Sequence, residues 1–154
     1  RPNDPSTVFS NKGTTAFSYA AMVATLQLAK RWTDDRGNPF PVALNTVLVP
    51  IELEAQAWEY TKAFNKPGTA DNDANFIGSQ GLSVVVDSYL TGTNDLFMLN
   101  TVAAREHLMW FLRVRPELDL DPASNFKLVA NYRGYMRYSF GWDDWRFIFG
   151  HEVA

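Results

Sequence analysis

Thr46-Val47-Leu48-Val49-Pro50-Ile51-Glu52-Leu53-Glu54-Ala55-Gln56-Ala57 changes its period halfway along, and that change says what kind of chain this is. The first four residues are β-branched at three positions and apolar at three, which predicts a short buried strand. Pro50 ends it. Proline also suits the first turn of a helix, where its missing N–H is not needed. From residue 51 the repeat lengthens, and Leu53, Ala57, Tyr60 and Phe64 form one stripe. Glu52, Glu54, Gln56, Glu59 and Lys62 fall mostly outside it, as expected of a helix with one face on a core. The early glutamates match the positive end of the helix dipole. A strand running straight into an amphipathic helix predicts a mixed α and β architecture.

Towards the N-terminus, residues 16–32 are rich in Ala, Leu, Met and Gln, which favour helix. Thr14 or Thr15 is placed to cap it. Phe17, Ala21, Ala24 and Leu28 recur at helical spacing, flanked by Tyr19, Met22, Leu26 and Ala29. Lys30 and Arg31 suit the last turn, and residues 33–39 (Thr-Asp-Asp-Arg-Gly-Asn-Pro) predict a turn that stops the helix. Residues 1–13 read as an irregular lead-in.

Towards the C-terminus, residues 65–80 predict a polar loop long enough to be functional or mobile. Residues 82–86 and 95–99 predict two strands, read as an antiparallel hairpin around the 87–94 turn region. Residues 101–106 suggest a short helical turn, and residues 107–114, dominated by Leu, Met, Trp and Phe, predict a buried strand broken by Arg115-Pro116-Glu117. Residues 126–140 and 142–149 predict two long β segments with Gly141 as the turn between them. In the first, Tyr132, Gly134, Met136 and Tyr138 alternate with Arg133, Tyr135 and Arg137, a period of two that marks one apolar and one polar face. The expected fold is α+β: two helices flanking a mainly antiparallel sheet, closed by a final long β-hairpin.

The 154 residues suit one domain, and a chain of that size buries roughly 70% of its surface without metal or disulfide. It has no Cys, which excludes disulfide scaffolds, thiolate metal sites and Cys nucleophiles. No apolar run approaches the ~20 residues of a membrane-spanning helix, so no membrane partner is expected. The net charge of −3 and scattered basic residues argue against specific nucleic-acid binding, which needs a concentrated basic surface. The modest basic cluster is Arg105, Arg113, Arg115, Arg133, Arg137 and Arg146. The chain starts without Met and without a signal peptide, so it is expected to be a piece or a processed form of something longer.

No catalytic constellation assembles. Only two His exist, His107 in an apolar stretch and His151 near the end, and such lone histidines read as core or surface fillers. Gly78-Ser79-Gln80-Gly81 lacks the Lys-Ser/Thr of a phosphate loop and reads as a turn before Leu82. Asp71-Asn72-Asp73-Ala74-Asn75 has oxygen ligands at calcium-like spacing. An EF-hand loop would need Gly and Glu where Phe76 and Leu82 stand, so a solvated loop is the reading. Trp142-Asp143-Asp144-Trp145 suggests a sugar platform with paired acids, but neighbouring acids on a strand face opposite ways and such aromatics more often fill a core.

The order of segments carries more than any motif. Asp35-Arg36-Gly37-Asn38-Pro39 is followed by Thr46-Val47-Leu48-Val49-Pro50 and the helix opening Ile51-Glu52-Leu53-Glu54-Ala55-Gln56-Ala57. Then come Arg113-Val114-Arg115-Pro116-Glu117-Leu118, and Asn125-Phe126-Lys127 running into Tyr138-Ser139-Phe140-Gly141-Trp142-Asp143-Asp144-Trp145-Arg146. Over about residues 15–150 this resembles the C-terminal half of a tailed-bacteriophage major capsid protein of the Mu-like head-subunit sort. The resemblance implies the Hong Kong 97-type shell fold, with an axial domain around capsomer axes and a peripheral domain carrying a long spine helix and an extended arm. It implies a division into a lead-in (1–13), an axial-type domain (14–120) and a terminal hairpin like the last peripheral strands (121–154). The spine helix and arms would precede residue 1.

It further implies a structural subunit of the virion, not an enzyme, that assembles in the host cytoplasm. The expected partners are copies of itself, in capsomer rings and an icosahedral shell, and other head proteins; no cofactor or metal is expected. Loop position nominates Asp71, Asn72, Asp73, Thr91 and Asn94 as assembly contacts, with Arg113 and Arg115 beside them. Two other readings stay open. One is a carbohydrate-binding or adhesion module using Trp142, Trp145 and Tyr135. The other is a small hydrolase in which two distant carboxylates converge.

Overall fold

The computed structural model describes residues 10–34, 36–69, 73–121 and 131–153. In chain order the elements are β1 (Lys12–Gly13), α1 (Tyr19–Lys30), β2 (Thr46–Val49), a 3-10 turn (Ile51–Leu53) leading into α2 (Glu54–Lys62), α3 (Phe76–Ser79), β3 (Ser83–Val86), β4 (Leu96–Leu99), α4 (Thr101–His107), β5 (Leu108–Asp121), β6 (Asn131–Trp142) and β7 (Ile148–His151). They form a five-stranded sheet in the order β1-β7-β4-β2-β3 and a separate two-stranded ribbon, β5-β6. The fold is α+β with mainly antiparallel pairing.

β4 is central, antiparallel to both β2 and β7. On one face Val47, Val49, Leu96, Met98 and Phe149 are buried, and α1 and α2 cover them. The opposite face is thinner, with Leu48, Phe97, Leu99 and Ile148 only half-buried. There the Phe97 ring lies across Gly150, where a Cβ would come within 2.7 Å of it.

α1, α3 and α4 each begin where a side chain, that of Ser18, Asn75 or Asn100, accepts from a free backbone N–H, whereas α2 has no side-chain cap. Ser18 caps α1 by accepting from the Ala21 N–H at 3.1 Å, so the helix starts later than Thr14 or Thr15 would have placed it. The buried stripe of α1 is Ala21, Met22, Thr25, Leu26 and Ala29, leaving Ala24 and Leu28 exposed. The expected stripe was therefore rotated from the real one. Ala tolerates either environment, so the pattern alone did not separate the two faces. In α2, Leu53 and Ala57 are buried as expected, but Phe64 lies beyond the helix end and is 93% exposed.

The two strands expected to form a hairpin do not pair. β3 runs parallel to β2, joined by the α2–α3 crossover, and β4 takes the other side of β2. Helical crossovers deliver parallel neighbours. Two four-residue apolar strands carry too little pattern to say which partner each takes.

The terminal hairpin is also corrected. Residues 107–114 are not a buried strand. His107 ends α4, residues 108–114 open the long strand β5, which pairs with β6, and Arg115-Pro116-Glu117 does not end it but falls at a shift of its register. Gly141 lies inside β6 rather than at a turn, and residues 148–151 return to the main sheet between β4 and β1. Leu120, near which a boundary is expected, lies within β5 and pairs with Tyr132 on β6.

Candidate assembly surface

The root of the hairpin is pinned to the sheet by α4. Asn100 caps that helix, accepting from the Val102 and Ala103 N–H groups at 3.0 and 3.1 Å, and its Nδ2 donates to the Ala43 carbonyl at 2.8 Å. The Thr101 N–H donates to Asn45 Oδ1 at 3.1 Å. At the other side of the root, the Asp143 N–H donates to the His107 carbonyl at 3.3 Å, and His107 Nδ1 meets Asp143 Oδ1 at 2.9 Å. That bond holds the Asp143 carboxyl below the usual carboxylate range. His107, expected inside an apolar strand, is instead a half-exposed clasp between the two ends of the hairpin.

Beyond the root the ribbon stands almost alone. Cross-strand partners share a face, so Leu108, Trp110 and Leu112 lie with Trp142, Phe140 and Tyr138. Further out, Leu118 and Leu120 lie with Gly134 and Tyr132, and Met136 continues the same side. Trp110 stacks on Tyr138 with centroids 4.5 Å apart and on Phe140 at 6.3 Å. Trp110 and Phe140 are nevertheless 62% and 63% exposed, because no other described residue covers that face. The opposite face carries Met109, Phe111, Val114, Glu117 and Asp119 beside Ser139, Arg137, Tyr135 and Arg133.

An isolated two-stranded ribbon is marginal in water, and a continuous apolar patch of this size marks an interaction surface. The alternation in β6 was legible in the sequence. That β5 adds a matching apolar row was not, since its two register shifts break the period between Leu112 and Glu117.

The nominated contact residues that the structure describes lie in separate parts of the fold. Asp71 and Asn72 lie outside the described residues. Asp73 is exposed, its carbonyl accepting from the Lys66 N–H at 2.9 Å. Thr91 and Asn94 are exposed in the loop between β3 and β4. Residues 65–80 lead into the start of β3, whereas residues 87–94 leave its end, so these two loops sit at opposite ends of the sheet. Arg113 and Arg115 are exposed at the register shifts of β5. The root of the hairpin is at the sheet end where β4 finishes and β7 begins, across the sheet from Thr91 and Asn94.

Other candidates resolve differently. Asp144 grips Arg146 through both oxygens, at 3.2 and 3.1 Å, while Asp143 belongs to His107, so these neighbouring acids serve separate partners. Trp145 packs on Trp32 at 5.4 Å and is taken up by the core, whereas Trp142 stays on the hairpin, so they form no common sugar platform. Residues 76–79, expected within a loop, are a short helix capped by the buried Asn75. Among the described residues no group of three or more His, Cys, Asp or Glu is placed to hold a metal ion. No helix among them is long and apolar enough to cross a membrane.

A family model described as phage capsid protein matches residues 2–150. The chain belongs to the phage capsid protein family. A search of curated proteins returns no match. As a capsid protein it has a structural role in the virion and assembles with other capsid subunits. A surface that lies bare in one chain is what such a subunit requires.

One buried histidine of this capsid protein is held neutral by its surroundings. His151 is 7% exposed. Its Nδ1 accepts from the Thr15 N–H at 3.3 Å, and its Nε2 lies 2.8 Å from Thr25 Oγ1. Thr25 gives its own proton to the Ala21 carbonyl at 2.8 Å, so Nε2 must carry the ring hydrogen and the imidazole is neutral. Gly13 leaves room for the ring, since a Cβ there would collide with it. Burial pushes His151 below its ordinary value of 6.5. The unfolded chain therefore takes up the proton first. The stabilisation is complete above about pH 6.5 and is lost as pH falls towards the folded-state value. We expect the Tm of the wild type to fall more steeply from about pH 7 to 5 than that of His151→Gln. Parallel Tm profiles would refute the assignment.

Proposed function

We propose that this protein is a Hong Kong 97-type shell subunit of the Mu-like sort, packing with copies of itself into capsomers and an icosahedral shell around the genome. In this reading residues 10–107 and 143–153 act as the axial-type domain, and the hairpin 108–142 acts as peripheral strands. Assembly takes place in the host cytoplasm, with other head proteins as further partners.

The observation that carries the reading is the bare apolar face of the hairpin. Twelve residues of β6 extend about 40 Å at ~3.4 Å each. A strip that long and two strands wide fits an amphipathic helix of about 26 residues at ~1.5 Å rise. The resemblance to the capsid family implies such a spine helix in the peripheral domain. The loop with Thr91 and Asn94, at the far end of the sheet, is then the part nearest a capsomer axis, and Arg113 and Arg115 contact subunits at the hairpin end. Asp71, Asn72 and Asp73 belong to a second, separate contact.

The test is light scattering over a concentration series, with negative-stain electron microscopy of the same samples, on the protein as its phage encodes it. Rings, sheets or shells are expected. A monomer at every concentration, including with the other head proteins present, would overturn the reading.

A further inference from the structure

The second face of the hairpin has a counterpart elsewhere on the molecule. Arg113, Arg115 and Arg137 are exposed, and among the described residues none makes an ion pair. Arg137 lies on the face that also carries Phe111 and Met109. Across the molecule, Glu52, Glu54 and Glu59 are exposed and equally without a cation among the described residues. They surround Ile51, Ala55 and Trp58, which recur at helical spacing on the side of α2 turned away from the core residues Leu53 and Ala57. Ile51 and Trp58 are large apolar groups left more than half exposed. The half of the hairpin nearer its root thus sets Arg137 beside an apolar centre, with Arg113 and Arg115 at the adjacent register shifts and Glu117 and Asp119 further out, and α2 sets an acidic rim around its own apolar centre.

We propose that the arginine-bearing face of the hairpin of one copy docks on the exposed face of α2 of the next. The charges set the register, and Phe111 and Met109 pack against Trp58 and Ile51. This rests on the reading that copies pack into a shell, and it names the two surfaces that meet. The contact joins different patches on the two copies, so it repeats head to tail and closes a ring or extends an array. It leaves the apolar face of the hairpin free for its helix.

Charge reversal tests the pairing. Glu52→Lys/Glu54→Lys/Glu59→Lys and Arg113→Glu/Arg115→Glu/Arg137→Glu are each expected to raise the protein concentration needed for assembly by about tenfold or more. Combining both sets should return it to within about threefold of wild type, because the complementarity is restored with its sign exchanged. Assembly of the wild type should weaken with salt. The chain has no Cys, so a Trp58→Cys/Phe111→Cys variant can form disulfides only through the new positions. Oxidation of assembled particles should yield covalent ladders of whole subunits, and this readout survives if a reversed variant fails to fold.

If the wild type assembles but the combined set is no better than either alone and no ladder forms, the pairing is wrong and the shell reading stands. If arginine reversal spares assembly but lowers the DNA held in particles, the arginines face the genome and the proposal falls. A wild type that never assembles removes the shell reading itself, and this contact with it.

Discussion

Replacing Trp110, Tyr138 and Phe140 together by serine is expected to abolish particles while leaving the five-stranded sheet folded. Trp110 stacks on both Tyr138 and Phe140, and the three rings lie exposed on the hairpin. The core shares no residue with them, so its stability is independent of the stack. Buried aromatic anchors at interfaces are worth about 2 kcal/mol each when truncated, or about 30-fold in affinity. Loss of even one should therefore show in the concentration needed for assembly, and loss of all three should prevent it. Near-ultraviolet circular dichroism of the Trp32–Trp145 pair reports whether the core stays intact. Normal particles from the triple variant would mean that this face has no structural partner.

The reverse outcome is expected for Met98→Ala. Met98 is fully buried in the central strand, between Val47 on β2 and Phe149 on β7. Removing its side chain opens a cavity that neighbours on both sides cannot fill without breaking sheet register. The expected cost is about 2–5 kcal/mol, and for a chain of this size each kcal/mol lowers Tm by about 2–4 °C. Leu28→Ala is the control, because Leu28 lies on the exposed side of α1 and should change stability by about 0.5 kcal/mol or less. Thermal melts of both variants distinguish the two. Equal losses would mean that the face of α1 against the sheet has been misread.

These two substitutions also separate what was legible in the residue order from what was not. The strand at residues 46–49, the helix after Pro50, the turn at 33–39 and the apolar alternation from Tyr132 to Tyr138 are local features. Each follows from side-chain period and from backbone donors that must be satisfied nearby. The surface nominated from loop position was less legible. Exposed polar loops look alike in a sequence, and the spatial separation of residues 65–80 from residues 87–94 depends on β3 running parallel to β2.

His151 shows the same limit at one residue. Near the chain end it reads as a surface filler, yet pairing of β7 between β1 and β4 carries it against Thr25, 126 positions away. His107 moves the opposite way, from an expected core strand to the hairpin root, where Asp143 meets it.

The sequence alone determined the types of its most periodic elements and, through the order of its segments, a resemblance to phage capsid proteins. Those depend on local period and composition. Only the tertiary structure decided strand partners, which face of the aromatic hairpin lies bare, and which charges find no mate among the described residues. Pairing free energy is shared among residues far apart in sequence, and strands of four residues carry too little pattern to specify their neighbours.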